Sequence, residues 1–247
     1  MLLRSPESSD IDNRKPSMKQ RETTLSAGLA SLAQGTGRAS ATDGKCVAGI
    51  DVGGERKGFH LVVLRDNQIV CSTRSLSPEA IAKSCVELGV VAVGVDAPCQ
   101  WGQAGAGRLA EKQLSEKKIF CFSTPTRALA VGNNFYGWMF NGERMYDALS
   151  ATHLLFEGTC PPRGKVYFET FPHAITCAFL GTEVAFAPLK RKQRSELLQQ
   201  HQIDLRLLRS IDDIDAALCA LTAGYLLAGK AHQYGDKAGG YLLVPVV

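Results

Sequence analysis

Two apolar runs of strand length each end in an aspartate: Val47-Ala48-Gly49-Ile50-Asp51 and Val91-Ala92-Val93-Gly94-Val95-Asp96. Near-continuous apolar character, rather than alternation, is what a strand covered on both faces needs. A chain carrying two of them must place helices on both sides of a sheet, which restricts it to a layered α/β architecture. At 247 residues and 45% hydrophobic content the chain can bury the core this demands, but it is too short for two large lobes. Its longest apolar stretch, 216–229, falls short of the ~20 residues of a membrane span. That stretch reads as a buried helix, and no membrane association is expected.

Residues 1–44 differ from the rest. They are rich in Ser, Thr, Arg and Gly, poor in aromatics and without apolar periodicity, so they cannot bury enough surface to offset their ordering entropy. A disordered tail is expected, or a start placed too far upstream, with Met18 as the alternative; acids at Glu7, Asp10, Asp12 and Glu22 argue against a transit peptide. Residues 45–247 are expected to form one domain. The formal charge of +4 permits a nucleic-acid partner without requiring one. None of the eight cysteines forms a C-x-x-C pair, and Cys46, Cys71, Cys85 and Cys99 lie in apolar segments or at their ends. They read as reduced thiols of a cytoplasmic protein, not as zinc ligands or a disulfide framework.

Along the domain, strands are predicted over 47–52, 59–64 and 68–73, with Asp66-Asn67 as a tight turn between the last two. Ser77 caps and Pro78 opens a helix whose apolar face is Ile81, Cys85 and Leu88. A buried strand over 90–95 follows, so that an antiparallel three-strand meander leads through a right-handed crossover to a parallel strand. Residues 100–164 read as a helical and loop insertion over one edge of the site. It holds a helix over 108–117 and another within 144–157 bearing Met145, Leu149, Leu154 and Leu155. Beyond it are a strand over 166–171, a short helix opened by Pro172, helices over 191–200 and 212–230, and a last edge strand over 241–246.

Asp212 and Asp215 lie three apart at the start of the final long helix, whose buried face is Ile214, Ala217, Leu218, Leu221, Thr222 and Tyr225. Acids at two strand ends and one helix start can converge, and carboxylate oxygens suit Mg²⁺ or Mn²⁺. Two such ions about 4 Å apart activate water and stabilise the leaving oxygen in phosphodiester cleavage. Each acid also has a plainer use. Asp212 and Asp213 stand in the first turn behind Ser210, where acids cap a helix and complement its dipole. Asp51 and Asp96 precede Gly53-Gly54 and Ala97-Pro98 and can serve as turn formers. Their joint occurrence on one topology favours a shared site. Glu169, set among Tyr167, Phe168 and Phe171, is a carboxylate whose unpaired burial would be costly.

These segments bear a family resemblance. Gly49-Ile50-Asp51-Val52-Gly53-Gly54, Gly94-Val95-Asp96-Ala97-Pro98, Glu169-Thr170-Phe171-Pro172-His173 and Asp212-Asp213-Ile214-Asp215-Ala216 resemble the predicted-nuclease family of RNase H-like proteins catalogued as domain of unknown function four-two-nine. The last of them is also similar to the closing helix of RuvC-type resolvases. The resemblance spans 46–247, with one departure at Gly58-Phe59, where many relatives have Gly-Trp. It implies an RNase H-like mixed sheet flanked by helices, and a metal-dependent nuclease acting on DNA or RNA with Mg²⁺ or Mn²⁺. Asp51, Asp96, Asp212 and Asp215 fall on metal positions, and Glu169, on a motif distinctive of the family, completes the expected catalytic set.

Arg108, three residues before Glu111, is expected at the site rim, and Lys190, Arg191 and Arg194 form the strongest basic cluster, suited to a phosphate backbone. All four are candidate nucleic-acid contacts, although a solvated surface pair explains Arg108 equally well and a short basic helix face like that of Lys190 to Arg194 is more often merely solvated. His173 reads as a helix-start residue, and Trp101 and Trp138 as packing residues. Two other functions fit the same residues. A small kinase or ATPase of the actin-like superfamily shares the first hairpin and its Asp, but needs two lobes and a second Gly-rich phosphate loop. A non-catalytic nucleic-acid or partner-binding module would have no use for clustered acids.

Overall fold

The computed structural model describes residues 44–105 and 107–247; the expected N-terminal tail, with Met18 in it, lies outside these residues apart from Gly44. The chain begins with β1 (Cys46–Val52), β2 (Phe59–Arg65) and β3 (Gln68–Ser75), paired antiparallel in sequence. Asp66 and Asn67 turn the second hairpin with φ of 49° and 62°, the geometry of a type I′ turn that matches strand twist. Ser77 caps α1 (Pro78–Glu87) by accepting the Ala80 N–H at 3.1 Å. The crossover then delivers β4 (Val90–Asp96) parallel to β1.

Between β4 and β6 (Val166–Thr170) lie α2 (Leu109–Glu116), α3 (Arg127–Ala130), α4 (Gly137–Ser150) and the two-residue strand β5 (Leu154–Leu155). Then come α5 (Pro172–Leu180), α6 (Lys190–Gln200) and α7 (Ile211–Leu227), followed by a hairpin of β7 (Ala231–Asp236) and β8 (Gly240–Pro245). Among the described residues the eight strands form one mixed sheet in the order β3-β2-β1-β4-β6-β8-β7, with β5 also paired to β6. This is the meander-plus-parallel sheet expected of an RNase H-like α/β fold.

Three details depart from the sequence reading. Leu154 and Leu155 leave the helix and pair with Val166 and Tyr167, because α4 starts earlier and stops at Ser150. The 240–245 strand is interior, held between β6 and β7. The edge belongs to β7, whose Ala-His-Gln-Tyr-Gly-Asp sequence has no apolar pattern to announce it. An exposed edge strand is held by its ladder and needs no buried side-chain row.

Alternation along the strands divides two cores. Val47, Val62, Leu64, Ala92 and Phe168 point toward α5, α6 and α7. Ala48, Ile50, Leu61, Val63, Val93 and Val95 point the other way, under α1 and α4. The first face is unusually close-packed at its centre. A Cβ on Gly49 would land on the backbone of Ala216 and Ala220, and one on Gly94 would lie 2.7 Å from the Cys219 carbonyl oxygen. Glycine at these positions lets α7 lie directly on β1 and β4. All eight cysteines are free thiols. Among the described residues, no helix is long and apolar enough to cross a membrane.

Candidate functional site

Gly49 and Gly94 face α7, so with a side-chain period of two Asp51 and Asp96 face it as well. They are register partners on the parallel pair β1–β4, about 4.8 Å apart by strand spacing. Across the antiparallel ladder Asp51 opposes His60, which shares the face of Val62 and Leu64. Three adjacent strands thus set His60, Asp51 and Asp96 in one row beneath the start of α7.

That start is built by a capping box. Ser210 Oγ accepts the Asp213 N–H at 3.0 Å, and Asp213 Oδ2 accepts the Ser210 N–H at 2.8 Å and the Arg209 N–H at 2.9 Å. Asp213 therefore takes the capping role, which frees Asp212 to turn toward the row. Lys57 Nζ, from the β1–β2 loop, donates to Asp212 Oδ2 at 3.2 Å. One turn on, Asp215 is buried and accepts a hydrogen bond from Arg194 Nη1 of α6 at 2.5 Å. His60 was not legible as a site residue. Its Nδ1 lies 2.8 Å from Asp213 Oδ1, and its Nε2 lies 3.7 Å from Asp212 Oδ2. The available signal was one polar residue in an otherwise apolar strand, but its position opposite Asp51 depends on the register across a six-residue loop.

The electrostatics follow from this crowding. Burial, followed by the charges of Asp215 and Asp212, pushes the Asp51 carboxyl up to about 8, against the opposing pull of Lys57 and Arg194. Burial, then Asp51 and Asp215, holds Asp96 well above the usual carboxylate range. Asp215 is also raised by burial, although Arg194 works against the shift. As the side chains stand, no three His, Cys, Asp or Glu among the described residues form a group able to hold a metal ion. Lys57 and Arg194 are engaged with two of the acids instead. The donor set nevertheless suits a hard divalent cation: it consists of carboxylate oxygens whose charges burial and mutual repulsion leave under-compensated.

Glu169 does not join the row. Its register partner is Val95, so it projects from the opposite face to Asp96. There it is buried in a two-pronged ion pair with Arg108, through Nη1 at 3.0 Å and Nη2, and it accepts the Cys99 N–H at 2.9 Å. Arg108 is thus corrected from a rim cation to a buried one. Burial disfavours its charge, but Glu169 more than offsets this and leaves the guanidinium above its ordinary pKa. The Arg108–Glu111 pair forms at 3.4 Å, with both side chains largely out of solvent. Arg194 is corrected in the same way, since its pairing with Asp215 withdraws it from the surface. Lys190 and Arg191 remain exposed, and Arg191 Nη2 donates to the Arg209 carbonyl at 3.2 Å, beside the α7 cap. His173 stays local, with Nε2 3.8 Å from Cys177 Sγ.

A small cleft of about 60 Å³ opens at the end of β4 and is lined by Asp96, Arg108, Glu169, Phe122, Trp138 and Phe171 among others. A larger cavity of about 230 Å³ lies beside it, bordered by Trp101, Glu143, Tyr146 and Tyr167. Trp101 is fixed there by its Nε1 hydrogen bond to Glu143 at 2.8 Å.

A sequence model for a family described as protein of unknown function (DUF429) matches residues 49–239. The chain belongs to that family. The matched span contains the row of acids, the Glu169–Arg108 pair and the start of α7. No curated protein and no solved structure matches the chain.

Proposed function

We propose that this DUF429 protein is a metal-dependent nuclease of RNase H-like type that hydrolyses phosphodiester bonds in DNA or RNA. The observation that carries this reading is the register pair Asp51 and Asp96, set on the face where α7 delivers Asp212 and Asp215. Mg²⁺ or Mn²⁺ would be held by Asp51, Asp96 and Asp215, with Asp212 at the outer edge. When bound, such an ion supplies Lewis acidity, acidifying water and taking up charge on phosphate oxygens.

The protein's own residues divide the remaining work. Asp51, between His60 and Asp96 in the row, is the central carboxylate of the set. Asp213 orients His60, whose Nε2 then faces Asp212. Exposed Lys190 and Arg191 at the start of α6 suit a phosphate backbone. Phe122 and Trp138 share the cleft of Asp96 and offer aromatic surface to a nucleobase. Glu169 and Arg108 brace the β4 end through the Cys99 amide, a positioning role. The actin-like alternative lacks support, because the described strands form one sheet without a second lobe.

The test is a panel of single-stranded, duplex, hybrid and branched DNA and RNA with each metal. Cleavage by the parent, abolished in Asp51→Asn and only weakened in Arg191→Ala, is expected. Absence of cutting by folded, metal-supplied protein, or equal cutting with Asp51 and Asp215 both replaced by Asn, would end the nuclease reading.

A further inference from the structure

Arg194 lies deep in the molecule at a place where an exposed phosphate-binding cation would be of no use. It is only 6% exposed, it comes from α6, and it reaches across to Asp215 at 2.5 Å. Its charge also acts on Asp51 and Asp96, so it serves the whole row and not one partner. The Arg194 Nε is buried without a hydrogen-bond partner, and so is His60 Nε2, which lies 3.7 Å from Asp212. Such groups are rare: with Nδ1–H given to Asp213, a neutral imidazole keeps at His60 Nε2 a lone pair that can face a cation, whereas the Arg194 Nε–H can only donate and suits a water or an anionic oxygen.

Charge balance limits what that ligand can be. Asp51, Asp96, Asp212 and Asp215 carry four negative charges when ionised, and Arg194 and Lys57 return two. Of the other charges nearby, Glu169 is paired with Arg108 on the opposite face, Asp213 is engaged in capping α7 and with His60, and exposed Lys190 reaches Asp215 only through its field. A net charge of minus two remains, which one divalent ion neutralises. A second would leave the pocket with net charge plus two against a guanidinium that cannot lose its proton.

On the reading of the site as a nuclease centre, we infer that Arg194 occupies the place of a second cation, so the carboxylate row takes a single divalent ion. Arg194 is then a positioning and charge-balancing residue that is built into the fold and needs no uptake from solution. Because its guanidinium is fixed by α6, removing it opens a position for a second ion.

Titration of the full chain with Mn²⁺ alone, followed by calorimetry and by electron paramagnetic resonance of the bound ion, tests this. The parent is expected to bind one ion per chain, without the spin–spin broadening of a close pair. Arg194→Gln should bind two with that broadening, and Arg194→Lys, which keeps the charge, should still bind one. Two ions in the parent, or one in a folded Arg194→Gln, would overturn the inference while leaving the nuclease reading intact. If Arg194→Gln fails to fold, the parent count decides the matter, supported by Lys57→Gln, whose 64% exposed side chain is dispensable to packing and which should tighten the single site. No Mn²⁺ bound by any form would remove the nuclease reading itself.

Discussion

Replacing Asp51 by asparagine should stabilise the metal-free protein, and the gain should depend on pH in a defined direction. The carboxyl of Asp51 moves from an ordinary value of 3.8 to about 8 on folding, through burial and then the neighbouring Asp215 and Asp212. The folded state therefore holds this proton more tightly than the unfolded chain. The contribution of Asp51 to parent stability is greatest below about pH 4, declines as pH rises, and carries the whole ionisation cost above about pH 8. At about 1.4 kcal/mol per tenfold, that cost is on the order of 5 kcal/mol. Relaxation and water entry around the ionised carboxylate reduce this, so roughly 2–3 kcal/mol should be recovered by one substitution. At about 2–4 °C per kcal/mol for a chain of this size, Tm in EDTA should rise by about 5–10 °C at pH 9. At pH 4 the difference should nearly vanish. Adding Mn²⁺ should reverse the order, because only the parent gains stability from an ion it binds. Scanning calorimetry across pH 4–9 provides the measurement. An Asp51→Asn protein that is less stable than its parent at pH 9, or a gap that ignores pH, would refute the crowding argument.

Arg108→Ala should lower stability by about 3–5 kcal/mol in urea unfolding, because it strands the buried Glu169 carboxylate; the double replacement of Arg108 and Glu169 by Met should recover most of the loss. Gly49→Ala should cost about 3 kcal/mol, since its Cβ meets the backbone of Ala216 and Ala220, and should also weaken Mn²⁺ binding as α7 and Asp215 shift outward. Unchanged denaturation midpoints would count against either account.

Much of the fold was legible because its signals are local. The continuous apolar runs marked β1 and β4, Asp66-Asn67 marked a hairpin turn, and Ser77-Pro78 and Ser210 marked two helix starts. The edge strand β7 was silent because its pairing leaves no imprint on side-chain pattern. Of the site, the strand-end placement of Asp51 and Asp96 and the offset of Asp212 and Asp215 were legible, since one depends on run length and the other on helical spacing. His60 was not, because a single residue in register carries no periodicity.

By itself the sequence determined which segments become strands and helices, and that four aspartates end or begin them. These properties depend on residues within a few positions of one another. Which charges neutralise which was decided only in three dimensions. Arg194 and Asp215 are 21 residues apart, Lys57 and Asp212 are 155 apart, and Arg108 and Glu169 are 61 apart. One strand's alternation sent Glu169 to the face opposite Asp96, and one helix and one loop brought Arg194 and Lys57 to the row of acids. Such pairings follow from burial, which makes an uncompensated charge too costly to leave alone and leaves no trace in the linear pattern.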